Sequence, residues 1–90
     1  MPEIRVKLFA NLREYVRTKE IELEGDNVKE ILKTICKKFP GIDRMIYEDD
    51  KLIPYINIFV NGKDINELSG LDTPLNPNDE IAIFPPVSGG

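Results

Sequence analysis

The residues able to do chemistry in this 90-residue chain sit in one stretch, Phe84-Pro85-Pro86-Val87-Ser88-Gly89-Gly90, and the reactive group it offers is the carboxylate of Gly90. Pro85 and Pro86 have no backbone N–H, so a strand ending at Phe84 must leave its sheet there and run on extended. Six residues at about 3.1 to 3.4 Å each reach about 20 Å, enough to enter another protein's active site. Val87 and Ser88 are small, and Gly89 and Gly90 lack a Cβ, so a narrow channel could close around the carboxylate. The competing possibility is an ordinary loose terminus.

Little else in the chain could act as a catalyst. It contains no His, the commonest general base and metal ligand, and its one cysteine, Cys36, cannot form a zinc or iron–sulfur site alone. It has neither a G-x-x-x-x-G-K-[ST] loop nor a G-x-G-x-x-G turn, so nucleotide chemistry must come from a partner. By itself the chain is a poor candidate enzyme, with no metal and no stably bound cofactor expected. Its 41% hydrophobic and 31% charged content is that of one small globular domain. A net charge of −4 argues against nucleic acid and permits a basic protein partner. No apolar run approaches the ~20 residues of a membrane span and no signal-peptide pattern opens the chain, which places the expectation in the cytoplasm. A lone cysteine suits that reducing compartment.

The elements that must carry the terminal stretch follow from periodicity. Ile4, Val6 and Leu8 alternate with polar residues, predicting a half-buried strand that leaves Phe9 on the outer face. Ala10 to Thr18 predicts a helical turn with Leu12, Tyr15 and Val16 folded onto the core. Lys19 to Glu24 predicts an antiparallel partner strand with Ile21 and Leu23 inward. Asn27-Val28-Lys29-Glu30 has the form of a capping box, and Val28, Ile31, Leu32, Ile35 and Phe39 then recur at helical spacing up to Pro40-Gly41. Cys36 lies beside that stripe, as a structural thiol or, less in keeping with its neighbours, a nucleophile. Lys29, Lys33 and Lys37 recur every fourth residue, as a solvated face or a docking surface.

Ile42 to Tyr47 predicts a short second helix, and Glu48-Asp49-Asp50 a turn without metal-ligand spacing. A third strand puts Ile56, Ile58 and Val60 inward and Tyr55, Asn57 and Phe59 outward. Asn61-Gly62 signals a hairpin into a short strand over Lys63 to Ile65. Leu68, Leu71 and Leu75 are isolated anchors, Asn76 to Asp79 is a turn, and Glu80 to Phe84 is the last strand. The order predicts an α+β roll: a mixed sheet of about five strands, the first and last parallel at its centre, with one main helix on one face. The domain is residues 1–84, and 85–90 form an extended tail. On the open face, parity gathers Phe9, Phe59 and Phe84 into a hydrophobic patch of the kind that marks protein interfaces, each ring capable of about 1 to 3 kcal/mol of binding.

Two segments, Val6 to Glu14 (Val-Lys-Leu-Phe-Ala-Asn-Leu-Arg-Glu) and Asp79 to Gly90 (Asp-Glu-Ile-Ala-Ile-Phe-Pro-Pro-Val-Ser-Gly-Gly), carry a resemblance to the β-grasp, ubiquitin-like sulfur carriers of the MoaD and ThiS type. Within that family the chain resembles the small subunit of molybdopterin synthase. The resemblance implies that an E1-like adenylyltransferase uses Mg-ATP to adenylate Gly90, and that a sulfur donor then displaces AMP to leave a thiocarboxylate. It further implies sulfur delivery to a pyranopterin precursor inside the large synthase subunit, in a heterotetramer of two small and two large chains, for molybdenum cofactor biosynthesis. Phe9 and Phe84 match the family's hydrophobic contact positions, and Arg13 matches a basic position facing acidic partner groups. Phe59 rests on parity alone, while Pro85, Pro86, Val87 and Ser88 complete the expected partner contacts.

Three rival readings share the fold. The same adenylation could end in an isopeptide bond to a target lysine, as in archaeal ubiquitin-like modifiers. The sulfur could instead serve thiazole synthesis in the thiamine pathway, or the chain could be a plain interaction domain.

Overall fold

In a computed structural model that describes residues 2–86, the expected alternation produces one sheet wrapped on one main helix. The elements in order are β1 (Glu3–Leu8), α1 (Ala10–Val16), β2 (Glu20–Glu24), α2 (Val28–Lys38), α3 (Asp43–Ile46), β3 (Tyr47–Glu48), β4 (Lys51–Leu52), β5 (Asn57–Val60), β6 (Lys63–Asp64) and β7 (Glu80–Phe84). The five-stranded sheet runs β2-β1-β7-β5-β6, with β1 and β7 parallel at the centre and the other neighbours antiparallel.

Register aligns the apolar positions across strands. Val6 pairs with Ile21 on one side and Ile81 on the other, and Ile81 pairs with Val60, so one row crosses four strands. Leu8, Ile83 and Ile58 form the next row. All but Ile21, which is half-buried, are buried, because one pleat face is closed by α2. That helix contributes Val28, Ile31, Leu32 and Ile35, the residues recurring every three or four positions, and all four are buried.

The helix starts where a capping residue meets its donor. Asn27 Oδ1 accepts from the Glu30 N–H at 2.9 Å. The Glu30 carboxylate reaches back to the Asp26 N–H at 2.9 Å, one residue earlier than in the usual reciprocal box. It ends at Phe39, before Pro40 and a Gly41 held at φ +96°. Tyr15, expected among the core residues of α1, is instead 46% exposed, because its hydroxyl donates to the Pro40 carbonyl.

Two turns are built from left-handed residues. Asn61 and Gly62, with φ 50° and 84°, link β5 to β6. The Asn61 side chain also donates to Asp79 Oδ1 at 2.9 Å and accepts from the Glu80 N–H at 3.0 Å, tying this hairpin to the turn before β7. Asp49 and Asp50, with φ 52° and 65°, do more than form the expected turn: they close a β3–β4 hairpin. Ile65, expected to end the short strand, opens a 3-10 turn instead. Of the three isolated leucines Leu75 is buried, Leu71 half-buried and Leu68 40% exposed, so Leu68 is not an anchor.

Candidate functional site

β1 and β7 leave the sheet side by side, and this brings the outward residues at their ends together. Lys7 is opposite Ala82 and Leu8 opposite Ile83, so Phe9 and Phe84 follow as the next parallel pair. Their rings stack with centroids 4.2 Å apart and planes 12° from parallel. Phe59, paired across the sheet with the small Ala82, meets Phe84 edge to face at 5.6 Å and 85°. Both geometries suit the ring quadrupole, with a negative face and a positive edge. Phe9, Phe59 and Phe84 thus share one face of the sheet, as strand alternation requires. The rings are half-buried rather than fully exposed, with Phe84 packed against both Phe9 and Phe59.

Arg13, an exposed residue of α1, closes the cluster from the side. Its guanidinium carbon lies 5.4 Å from the Phe9 centroid, and its Nε donates to the Leu8 carbonyl at 3.2 Å. The sequence reading assigned Arg13 to acidic partner groups, and the structure adds that it clamps Phe9. Beside it is a hollow of about 300 Å³ lined by Lys7, Phe9, Arg13, Lys19 and Glu20.

Further along the same face the character changes from aromatic to charged. Glu80 accepts from Lys7 at 3.3 Å and approaches Arg5 at 3.9 Å. Arg5 in turn is opposite Glu22, and Lys7 opposite Glu20. Four residue steps along β7 separate Glu80 from Phe84, about 13 Å. The charged half escaped the sequence reading, although strand alternation puts these residues on the same face as the rings.

The terminal segment leaves from this cluster. Pro85, expected as the first residue of a free tail and as a partner contact, is buried, and Pro86 is half-buried. The first proline thus packs against the body of the domain. Val87, Ser88, Gly89 and Gly90 lie outside the described residues.

Cys36 is half-buried on α2. Burial, then the nearby Asp43 carboxylate, push its thiol above the ordinary value, which favours the protonated structural thiol over the nucleophile. Among the described residues no group of three His, Cys, Asp or Glu is placed to hold a metal ion, and no helix is long and apolar enough to cross a membrane.

A mixed sheet wrapped on one helix, with parallel first and last strands and an aromatic face at the exit of the last, defines a β-grasp, ubiquitin-like carrier domain. The model of the ThiS family matches residues 6–90, and the chain belongs to that family of ubiquitin-like sulfur carriers. It is 44% identical to the small archaeal modifier protein 1 of Methanosarcina acetivorans, whose solution structure superposes with a TM-score of 0.91 over 100% of this chain and 98% of that one. It is 32% identical to small archaeal modifier protein 3 of Haloferax volcanii, over 98% of this chain and 99% of the relative. It is 34% identical to the molybdopterin synthase sulfur carrier subunit of Escherichia coli, over 97% and 99%. That last relative is, by its name, one subunit of a larger enzyme.

Proposed function

We propose that this chain is a ubiquitin-like protein modifier of the archaeal type, which also carries sulfur on the same terminal carboxylate. The Gly90 carboxylate attacks the α-phosphorus of ATP on an E1-like enzyme, releasing pyrophosphate and leaving an acyl adenylate. A carboxylate is resonance-stabilised and a poor electrophile, so this step supplies the leaving group that later attack requires. The ε-amine of a target lysine then attacks the acyl carbon, gives up a proton and displaces AMP, forming an isopeptide bond. Hydrosulfide delivered by a sulfur donor attacks the same carbon, likewise displaces AMP and leaves a thiocarboxylate instead.

What supports this reading is the whole-length likeness to two proteins named as modifiers, joined to an aromatic face at the root of the segment to be activated. Phe9, Phe84 and Phe59 serve as anchors that dock on the activating enzyme and orient the terminal segment toward its nucleotide site. ATP is the partner's substrate, and the activation needs no cofactor held by the chain itself.

A second reading is the sulfur-carrier subunit of molybdopterin synthase, docked on a large subunit in a heterotetramer. The likeness to the Escherichia coli subunit favours it. The two readings share activation and differ in the acceptor.

Intact-mass and pull-down analysis after co-expression with an E1-like enzyme separates them. Mass-shifted conjugates joined through Gly90 to lysine support the modifier. An oxygen-to-sulfur exchange without conjugates supports the synthase subunit. If neither product forms, or if deleting Gly90 leaves both unchanged, activation at this residue is wrong.

A further inference from the structure

On the helix-covered side of the sheet, away from the aromatic face, α2 borders a second concave site of about 530 Å³. The helix supplies Lys29, Lys33, Lys37 and Cys36, while Asp43 of α3, Tyr47 of β3, Asp50 of the β3–β4 turn and the apolar Leu71 line the rest. The three lysines are exposed, and among the described residues none forms an ion pair. Lys33 and Lys37 also border a neighbouring hollow with Glu24 and Glu30, but none of the three cations is held in an ion pair among the described residues, so each can meet an anion from outside.

Their spacing narrows the choice of anion. Residues four apart on a helix rise about 6 Å, and side chains on the same side of an extended strand recur every 6.6 to 6.8 Å, to within about 1 Å of that rise. An extended peptide laid along α2 would thus present every second side chain to successive lysines. Its intervening side chains would point the other way, toward Asp43 and Asp50. The charge of the groove is sorted by wall, and a strand sorts its side chains by parity in the same manner.

The geometry points to a docking groove for an extended segment of a partner protein, in which carboxylates at alternate positions meet Lys29, Lys33 and Lys37 and cations between them meet Asp43 and Asp50. The inference stands apart from the proposed function, since it uses neither the terminal segment nor the aromatic face. Because the two surfaces lie on opposite sides of the sheet, both can be occupied at once. Individually weak surface ion pairs make the contact salt-sensitive and place its affinity near the millimolar range.

Cys36, the only cysteine of the chain and part of the groove lining, is the reporter. The full chain is titrated at low salt with the peptide Glu-Lys-Glu-Lys-Glu and, in parallel, with Glu-Glu-Glu-Lys-Lys of the same composition. The rate of thiol alkylation and the backbone amide shifts are followed. The alternating peptide is expected to slow alkylation and shift amides of α2 and β3, at several-fold lower concentration than the block peptide. Lys33→Glu, at an exposed position, should raise its half-saturation about tenfold while the fold persists. Equal responses to both peptides, the same protection by inorganic phosphate, or no change in Lys33→Glu would overturn the inference. So would protection of the thiol on simply raising the chain's own concentration, which would make a second copy the occupant.

Discussion

Phe9 and Phe84 belong to opposite ends of the chain, yet their rings lie 4.2 Å apart in a near-parallel stack. The stack is a packing contact and, in the proposed function, the centre of the docking face, so the two roles have to be separated by measurement. A stacked pair contributes about 0.5 to 1.5 kcal/mol beyond area burial. A double-mutant cycle of Phe9→Ala and Phe84→Ala in chemical denaturation should return a coupling of that size. Binding to the activating enzyme should weaken about 10- to 100-fold for either single variant, exceeding the stability loss. A larger effect on stability than on binding would make the rings core residues.

Arg13 should not tolerate lysine. Its planar guanidinium lies 5.4 Å from the Phe9 centroid while Nε donates to the Leu8 carbonyl, and an ammonium cannot do both. Arg13→Lys and Arg13→Ala are each expected to destabilise by about 0.5 to 1 kcal/mol and to move the Phe9 ring resonances. Wild-type ring shifts in Arg13→Lys would show that only the charge matters.

Gly41 follows α2 at φ +96°, and a Cβ there would strike the Tyr15 hydroxyl that donates to the Pro40 carbonyl. Gly41→Ala therefore loses a backbone conformation and displaces a hydrogen bond together, for about 1 to 3 kcal/mol. Tyr15→Phe removes only the hydrogen bond and should lose less. In the Gly41→Ala, Tyr15→Phe double variant the two losses should fall short of additive, and strict additivity in thermal unfolding would disprove the contact.

Stability should fall on the alkaline side. Burial, then the Asp43 carboxylate, raise the Cys36 thiol above its ordinary 9.0, while burial and then Cys36 raise the Tyr47 phenol above its ordinary 10.0. The unfolded chain ionises at the ordinary values and so releases its protons first. The contribution is fully present below about pH 9 and is lost as pH rises through the folded values. Denaturation midpoints should decline from about pH 9 upward, and Cys36→Ala should delay the onset. Coincident profiles for the two proteins would contradict the assignment.

What could be read from the sequence was the part fixed by local periodicity. Alternation in β1, β5 and β7 settled which residues face α2, and the same parity put Phe9, Phe59 and Phe84 on the other side. What escaped depended on contacts between segments far apart in sequence. The β3–β4 hairpin has two residues per strand, too few to show a period, and its turn uses aspartates where glycine would have given a signal. Tyr15 sat at helical spacing with Leu12, but the Pro40 carbonyl drew its hydroxyl outward. Pro85 carried the right message about ending a ladder and none about being packed inside. The repeat of Lys29, Lys33 and Lys37 was plain, whereas Asp43, Tyr47 and Asp50 came beside it only through folding.

The central pairing of β1 with β7 also bears on how the chain is made. Since the sheet's middle seam joins the first strand to the last, a nascent polypeptide emerging from the ribosome has no finished sheet until Phe84 has been polymerised and released from the exit tunnel. Products of premature termination would lack the seam and the stacked rings alike, so a partner docking on this face, as proposed, would encounter only chains translated through their last strand.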